Sequence, residues 1–244
     1  MIEVEGLSKS YGSVLAVDGL DLRVGRGEIL GLVGPNGAGK TTTLRCLTGI
    51  VPPGAGAIRI GGFDLASQPI EAKRRMAFVP DEPRLFDYLT ARDHMTVTAR
   101  LYGVADGDAR AEQLLEELEL SDRKHAFPSE LSRGMKQKLM VAMALLHRPE
   151  AILLDEPLTG LDPMAMRRMK DRIRETASRG VAVVLSSHML HLVEELCQRI
   201  TIIVRGRKVV DGTLEEIRAA LPELAGDAGL EAIFMKAVEK NGPR

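Results

Sequence analysis

Eight consecutive residues carry the strongest chemical signal in the sequence: Gly34, Pro35, Asn36, Gly37, Ala38, Gly39, Lys40 and Thr41. Two glycines flank four residues and are followed by a lysine and a hydroxyl residue, the spacing of a phosphate-binding loop. Glycines let the backbone turn tightly enough for successive N–H groups to converge on phosphate oxygens. A helix starting near Lys40 adds the positive end of its dipole, with Thr42 in its first turn. The Lys40 ammonium suits the β- and γ-phosphates of a nucleoside triphosphate. The Thr41 hydroxyl is a hard oxygen ligand of the kind Mg2+ takes.

A second signal is acidic. Ala151 to Leu154 is an apolar, strand-like run that ends in Asp155 and Glu156. If this strand lies beside the one that precedes the glycine loop, both carboxylates come near the γ-phosphate. Asp155 is then expected to hold Mg2+, directly or through water. Glu156 is expected to orient and deprotonate the attacking water. An isolated Asp-Glu pair can equally cap a strand-to-loop turn; the apolar run before it and the phosphate loop upstream favour the chemical reading.

Positioning these groups requires strands alternating with helices. Strand patterns fall at Ile29–Val33, Ala57–Ile60, Met76–Val79, Ala151–Leu154, Val181–Leu185 and Arg199–Val204, with a further strand-like start at Ile2, Val4 and Leu7. A helix follows the loop over Thr41–Leu47 and closes near Gly49. The alternation predicts an α/β fold with a mostly parallel sheet. From about Thr90 to His147 the pattern is helical throughout. Thr90 and Asp93 have capping-box spacing, Gly103 stops that helix, and Leu114, Leu115 and Leu118 make an apolar stripe on the next. A second capping pair, Thr213 and Glu216, opens a helical and loop-like tail. The expected organisation is a nucleotide-binding core over 1–89 and 149–212, a helical subdomain over 90–148 and a tail over 213–244.

Composition narrows the classes. A net charge of -1 over 244 residues supplies no basic field for nucleic acid, so no nucleic-acid partner is expected. Two cysteines, Cys46 and Cys197, have neither disulfide-framework nor metal-ligand spacing and suit a reducing compartment. No run approaches the roughly 20 apolar residues of a membrane span. Met1 leads directly into a strand pattern, so no signal peptide is expected. The chain is expected to be soluble, and any membrane role needs spans from another polypeptide.

A phosphate loop alone leaves GTPases, kinases, helicases and transport ATPases open. The segment Leu131-Ser132-Arg133-Gly134-Met135-Lys136-Gln137 discriminates among them, because it resembles the LSGGQ signature of ATP-binding cassette proteins. The chain is identified as resembling ATP-binding subunits of ABC transporters, from Ile2 to about Thr213. That resemblance implies a P-loop NTPase core with an N-terminal antiparallel β part. It implies ATP and Mg2+ as ligands, and an ATPase that closes as a head-to-tail dimer. The second cassette is another copy or a related chain, the other partner is an integral membrane permease, and the location is the cytoplasmic face of the membrane. Leu131, Ser132, Arg133, Gly134 and the D-loop residue Asp162 would lie at the dimer seam, with Ser132 and Gly134 binding the γ-phosphate held by the partner. Tyr11 would stack on adenine, and His188 would contact the γ-phosphate and steady Glu156.

Two features depart from the common pattern. Arg133 and Met135 replace the first glycine and the glutamine of the signature. Asp81 stands where a glutamine usually touches Mg2+ and water, so it joins Thr41 and Asp155 as a cation-ligand candidate. Both departures resemble the ABC-2-type exporter group. The segment Arg84 to Thr90 would border the groove for a membrane-subunit helix. His94, His125, His147 and His191 have no ligand spacing.

Overall fold

A computed structural model describes residues 1–220 and 229–241. The chain opens with a long antiparallel pair, β1 (Ile2–Tyr11) and β2 (Val14–Val24), followed by β3 (Ile29–Val33) and α1 (Lys40–Leu47). Next come β4 (Ala55–Ile60), β5 (Phe63–Asp64), α2 (Pro69–Arg74) and β6 (Met76–Val79). Three helices intervene, α3 (Ala91–Tyr102), α4 (Gly107–Glu117) and α5 (Arg133–Leu146). The core resumes with β7 (Ala151–Asp155), α6 (Pro163–Ser178), β8 (Ala182–Ser186), α7 (Leu190–Leu196), β9 (Arg199–Val204) and β10 (Arg207–Gly212). Helices α8 (Leu214–Ala219) and α9 (Leu230–Asn241) end the described chain. Of the helical and loop-like tail expected over 213–244, residues 221–228 and 242–244 lie outside the described residues.

Two sheets form. One is antiparallel, in the order β2-β1-β4-β5. The other runs β10-β9-β3-β8-β7-β6 and is parallel except for β10. Every residue of β3, β7 and β8 is buried, as expected of parallel strands covered on both faces. That explains why these segments read as continuous apolar runs. In β1 and β2 the side chains alternate instead. Ile2, Val4 and Leu7 face Leu20, Leu22 and Val24 in one core layer, while the other side meets solvent. Strands β2 and β10 lack an uninterrupted apolar run and were not anticipated.

The neighbour of β3 differs from expectation. Strand β7 does not pair with it; β8 stands between them. Reach across β8 is possible because its final residue is a serine: Ser186 pairs in register with both Leu32 and Asp155.

The helical insert behaves as its capping signals imply. Thr90 and Asp93 form a reciprocal capping box, and Gly103 terminates α3 at φ 66°. Leu114, Leu115 and Leu118 are buried together with Met95 and Leu139. Thr213 and Glu216 cap α8 in the same way. His94 is less ordinary than its spacing suggests. It is buried, its Nε2 accepts from the Phe86 N–H at 2.9 Å, and its Nδ1 lies 2.8 Å from the Thr90 carbonyl. It therefore fixes the loop between β6 and α3. Cys46 packs in the core, and burial pushes the Cys197 thiol up to about 12.

Candidate active site

The glycine loop joins the end of β3 to α1 and is clamped from both sides. The Gly206 N–H, in the β9–β10 turn, donates to the Ala38 carbonyl at 2.9 Å, and the Asp18 N–H donates to the Gly206 carbonyl at 2.9 Å. Gly39 has φ 106°, and a Cβ there would come within 2.3 Å of the Ala16 carbonyl oxygen. A Cβ on Gly34 would come within 2.4 Å of the Ile203 carbonyl oxygen. These glycines are therefore dictated by close backbone approach. The Lys40 ammonium donates to the Gly34 carbonyl at 2.7 Å and to the Pro35 carbonyl at 3.2 Å. Burial pushes its pKa down, while Glu156 and Asp155 pull it back up.

Opposite the loop, the ends of β7 and β8 carry a compact hydrogen-bonded group. The Ser186 hydroxyl donates to Asp155 Oδ1 at 2.5 Å, and Thr41 Oγ1 lies 3.5 Å from the same oxygen. The Glu156 N–H donates to both the carbonyl and the hydroxyl of Ser186, at 3.1 and 3.2 Å. Glu156 has φ 49°, a left-handed conformation that costs a non-glycine residue about 1–3 kcal/mol. This turn takes its side chain off the strand direction and into a set of donors. Glu156 Oε2 lies 2.9 Å from His188 Nδ1, 3.4 Å from Ser187 Oγ and 3.5 Å from Thr159 Oγ1.

Loop and carboxylates face one open cavity of about 390 Å³, within the range of small-molecule sites. Of the residues expected in the site, Asn36 to Thr42, Asp81, Asp155, Glu156 and His188 line it. Gly34 and Pro35 contribute through the carbonyls that hold Lys40. Tyr11 does not line the cavity. It ends β1, half exposed, with the Lys9 ammonium 5.5 Å from its ring centroid.

The signature residues also lie outside the cavity lining. Ser132 caps α5, its hydroxyl accepting from the Met135 N–H at 3.2 Å, and Asp162 caps α6 by accepting from the Ala165 N–H at 2.9 Å. Leu131 is buried, and Gly134 sits near Leu161. Arg133 reaches back within its own chain to Asp81, 3.3 Å from Oδ1. Thr159 and the backbone of Ala16 were missed by sequence reasoning, and the Ser186 and Ser187 hydroxyls were noted only as neighbours of His188. The only local signal was a run of hydroxyl residues beside the acidic pair and the histidine.

Fold and cavity together define a P-loop nucleoside triphosphatase with a helical insert between the glycine loop and the acidic strand β7. Comparison with known proteins places it more narrowly. Residues 17–159 match the ABC transporter family. The chain is 42% identical over 213 residues to the Nod factor export ATP-binding protein I of Paraburkholderia xenovorans, covering 86% of this chain and 70% of that one. It is 33% identical to the linearmycin resistance ATP-binding protein LnrL of Bacillus subtilis, covering 98% and 78%. A solved ATP-binding subunit of an ABC transporter superposes with a TM-score of 0.91 at 35% identity, covering 98% of this chain and 99% of its own. The chain belongs to the ABC transporter family, as an ATP-binding and ATP-hydrolysing subunit.

Proposed function

We propose that the chain powers an export system of the ABC-2 type, with the following residue roles. The observation that carries the reading is one cavity holding Lys40, Thr41, Asp155, Glu156 and His188. The backbone N–H groups of Gly37, Ala38 and Gly39 and the Lys40 ammonium bind the β- and γ-phosphates of ATP. Thr41 and Asp155 offer a hydroxyl and a carboxylate oxygen converging within 3.5 Å, a hard-oxygen pair that fits Mg2+. Bound there, Mg2+ would neutralise phosphate charge. Asp81, engaged by Arg133, stands aside from that pair.

Glu156 accepts the proton of the attacking water, and Thr159, Ser187 and His188 hold its carboxylate in place from one oxygen. Water adds to the γ-phosphorus as the bond to the β-phosphate oxygen breaks, giving ADP and inorganic phosphate. Tyr11 supplies a face for adenine.

Leu131, Ser132, Arg133, Gly134 and Asp162 form the seam with a second cassette, where the capped N-terminus of α5 faces the partner's ATP. Closing and reopening of that dimer is a ligand-driven shift of population. It is passed to an integral membrane permease, which places the chain peripherally on the cytoplasmic face. Among the described residues no helix is long and apolar enough to cross a membrane. Phe86 and Tyr88 are exposed on the segment that enters the insert, and Val97 and Leu101 on α3, as a docking surface for membrane-subunit helices requires. The names of the relatives, Nod factor export and linearmycin resistance, favour export.

Affinity purification of the tagged chain from gently solubilised membranes tests the assembly. An integral protein with several hydrophobic spans is expected among the co-purifying chains. Ribosomal or DNA-repair proteins without any membrane protein would overturn it.

A further inference from the structure

Two of the residues that depart from the common cassette pattern, Arg133 and Asp81, are 52 residues apart in sequence and meet in space. Arg133 is the first residue of α5, where a cation opposes the helix dipole. Helix stability therefore does not explain an arginine at this position. Its side chain instead runs across Gly160, where a Cβ would lie only 3.3 Å from Arg133 Cδ and Nε. Gly160 thus leaves the lane open, and the guanidinium emerges 3.3 Å from Asp81 Oδ1. Asp81 in turn lines the cavity that contains Lys40, Thr41 and Glu156. An unrestrained carboxylate there would repel the triphosphate.

We propose that Arg133 is a positioning residue that holds the Asp81 carboxylate turned toward the helical insert and away from the phosphates of the same chain. The pair rests on the nucleotide reading of the cavity and adds to it. It makes phosphate affinity depend on where α5 sits, because the insert carries the cation and the core carries the anion. A glutamine at position 81 would need no such restraint, and a glycine at position 133 could not provide one.

The test is a double-mutant cycle in ATP affinity, measured by titration calorimetry on the full chain in EDTA, so that no cation confuses the readout. Arg133→Gln keeps the stem and removes the charge; Asp81→Asn removes the opposing charge with little change of shape. With Asp81 present, Arg133→Gln should weaken ATP binding by a further two- to fivefold, roughly, beyond its effect in the Asp81→Asn background. That is the size expected of a half-exposed ion pair. The excess loss should be smaller for ADP, and should shrink at high salt. Arg133→Lys should restore most of the affinity. Thermal unfolding checks that all variants fold; both side chains are about half exposed, so midpoints should stay close to the wild type. Equal losses in both backgrounds would overturn this inference alone. A wild-type chain that binds no ATP would overturn the nucleotide reading beneath it.

Discussion

Replacing Glu156 by glutamine isolates the chemical step from the scaffold. In the structure all three side-chain donors converge on Oε2: His188 at 2.9 Å, Ser187 at 3.4 Å and Thr159 at 3.5 Å. A glutamine can present its carbonyl oxygen to the same donors, so the side chain keeps its place. The other terminal atom changes from a proton acceptor to an amide donor, and the base is lost. A positioned general base contributes about 10²–10⁴-fold, equivalent to about 3–5 kcal/mol of barrier at about 1.36 kcal/mol per decade. The effect on folding should be smaller, because the three donors keep an oxygen acceptor and exchange bonds to a carboxylate for neutral ones, the shortest of them from a largely exposed histidine. Phosphate release by the purified chain, or by its complex with the permease where basal turnover is low, should therefore fall by two to four orders of magnitude. ATP binding and the unfolding midpoint should remain near those of the wild type. A turnover within about threefold of wild type, with ATP still bound, would refute Glu156 as the base. A large fall accompanied by a collapsed unfolding midpoint would show that the scaffold argument is wrong.

Gly39→Ala combines a left-handed φ of 106° with a 2.3 Å approach to the Ala16 carbonyl. It should cost about 2–5 kcal/mol from backbone strain and overpacking, lowering the midpoint by roughly 5–20 °C. Gly37→Ala has φ 77° but open space around it, so only the strain of about 1–2 kcal/mol applies; equal losses in the two variants would contradict the clamped-loop geometry. His147 stacks on Tyr102 with ring centroids 3.8 Å apart and donates from Nε2 to the Met76 carbonyl at 3.1 Å. Burial lowers its pKa below the ordinary 6.5, so the unfolded chain takes up the proton first as pH falls. Its contribution to stability is complete above about 6.5 and is lost progressively below that. Midpoints at pH 5 and 7.5 should differ less in His147→Gln than in the wild type, and an unchanged difference would refute the assignment.

Features carried by contiguous residues were legible in the sequence. The phosphate loop is eight contiguous residues, so its pattern shows in the sequence even though the Ala16 and Ile203 carbonyls that dictate Gly39 and Gly34 lie far away along the chain. The capping boxes at Thr90 and Thr213 span three residues, and local hydrogen bonds decide them. Strands β3, β7 and β8 are buried on both faces, so their character shows as unbroken apolar runs; β2 and β10 have no such run and stayed hidden. What the sequence could not order is what depends on packing between distant segments. The sheet places β8 between β3 and β7, and Ser186 at its end bonds Asp155 where the two halves of the site meet. Ser187 and Thr159 join His188 around Glu156 because two strand ends and a left-handed turn bring them to one carboxylate. His94 has no local pattern to distinguish it, and its partner Phe86 is eight residues away, in the loop before α3. Arg133 and Asp81 each look like an isolated departure from a family pattern. Their pairing depends on the path of one side chain over Gly160, which tertiary structure alone decides, because ion pairs form between neighbours in space whatever their separation along the chain.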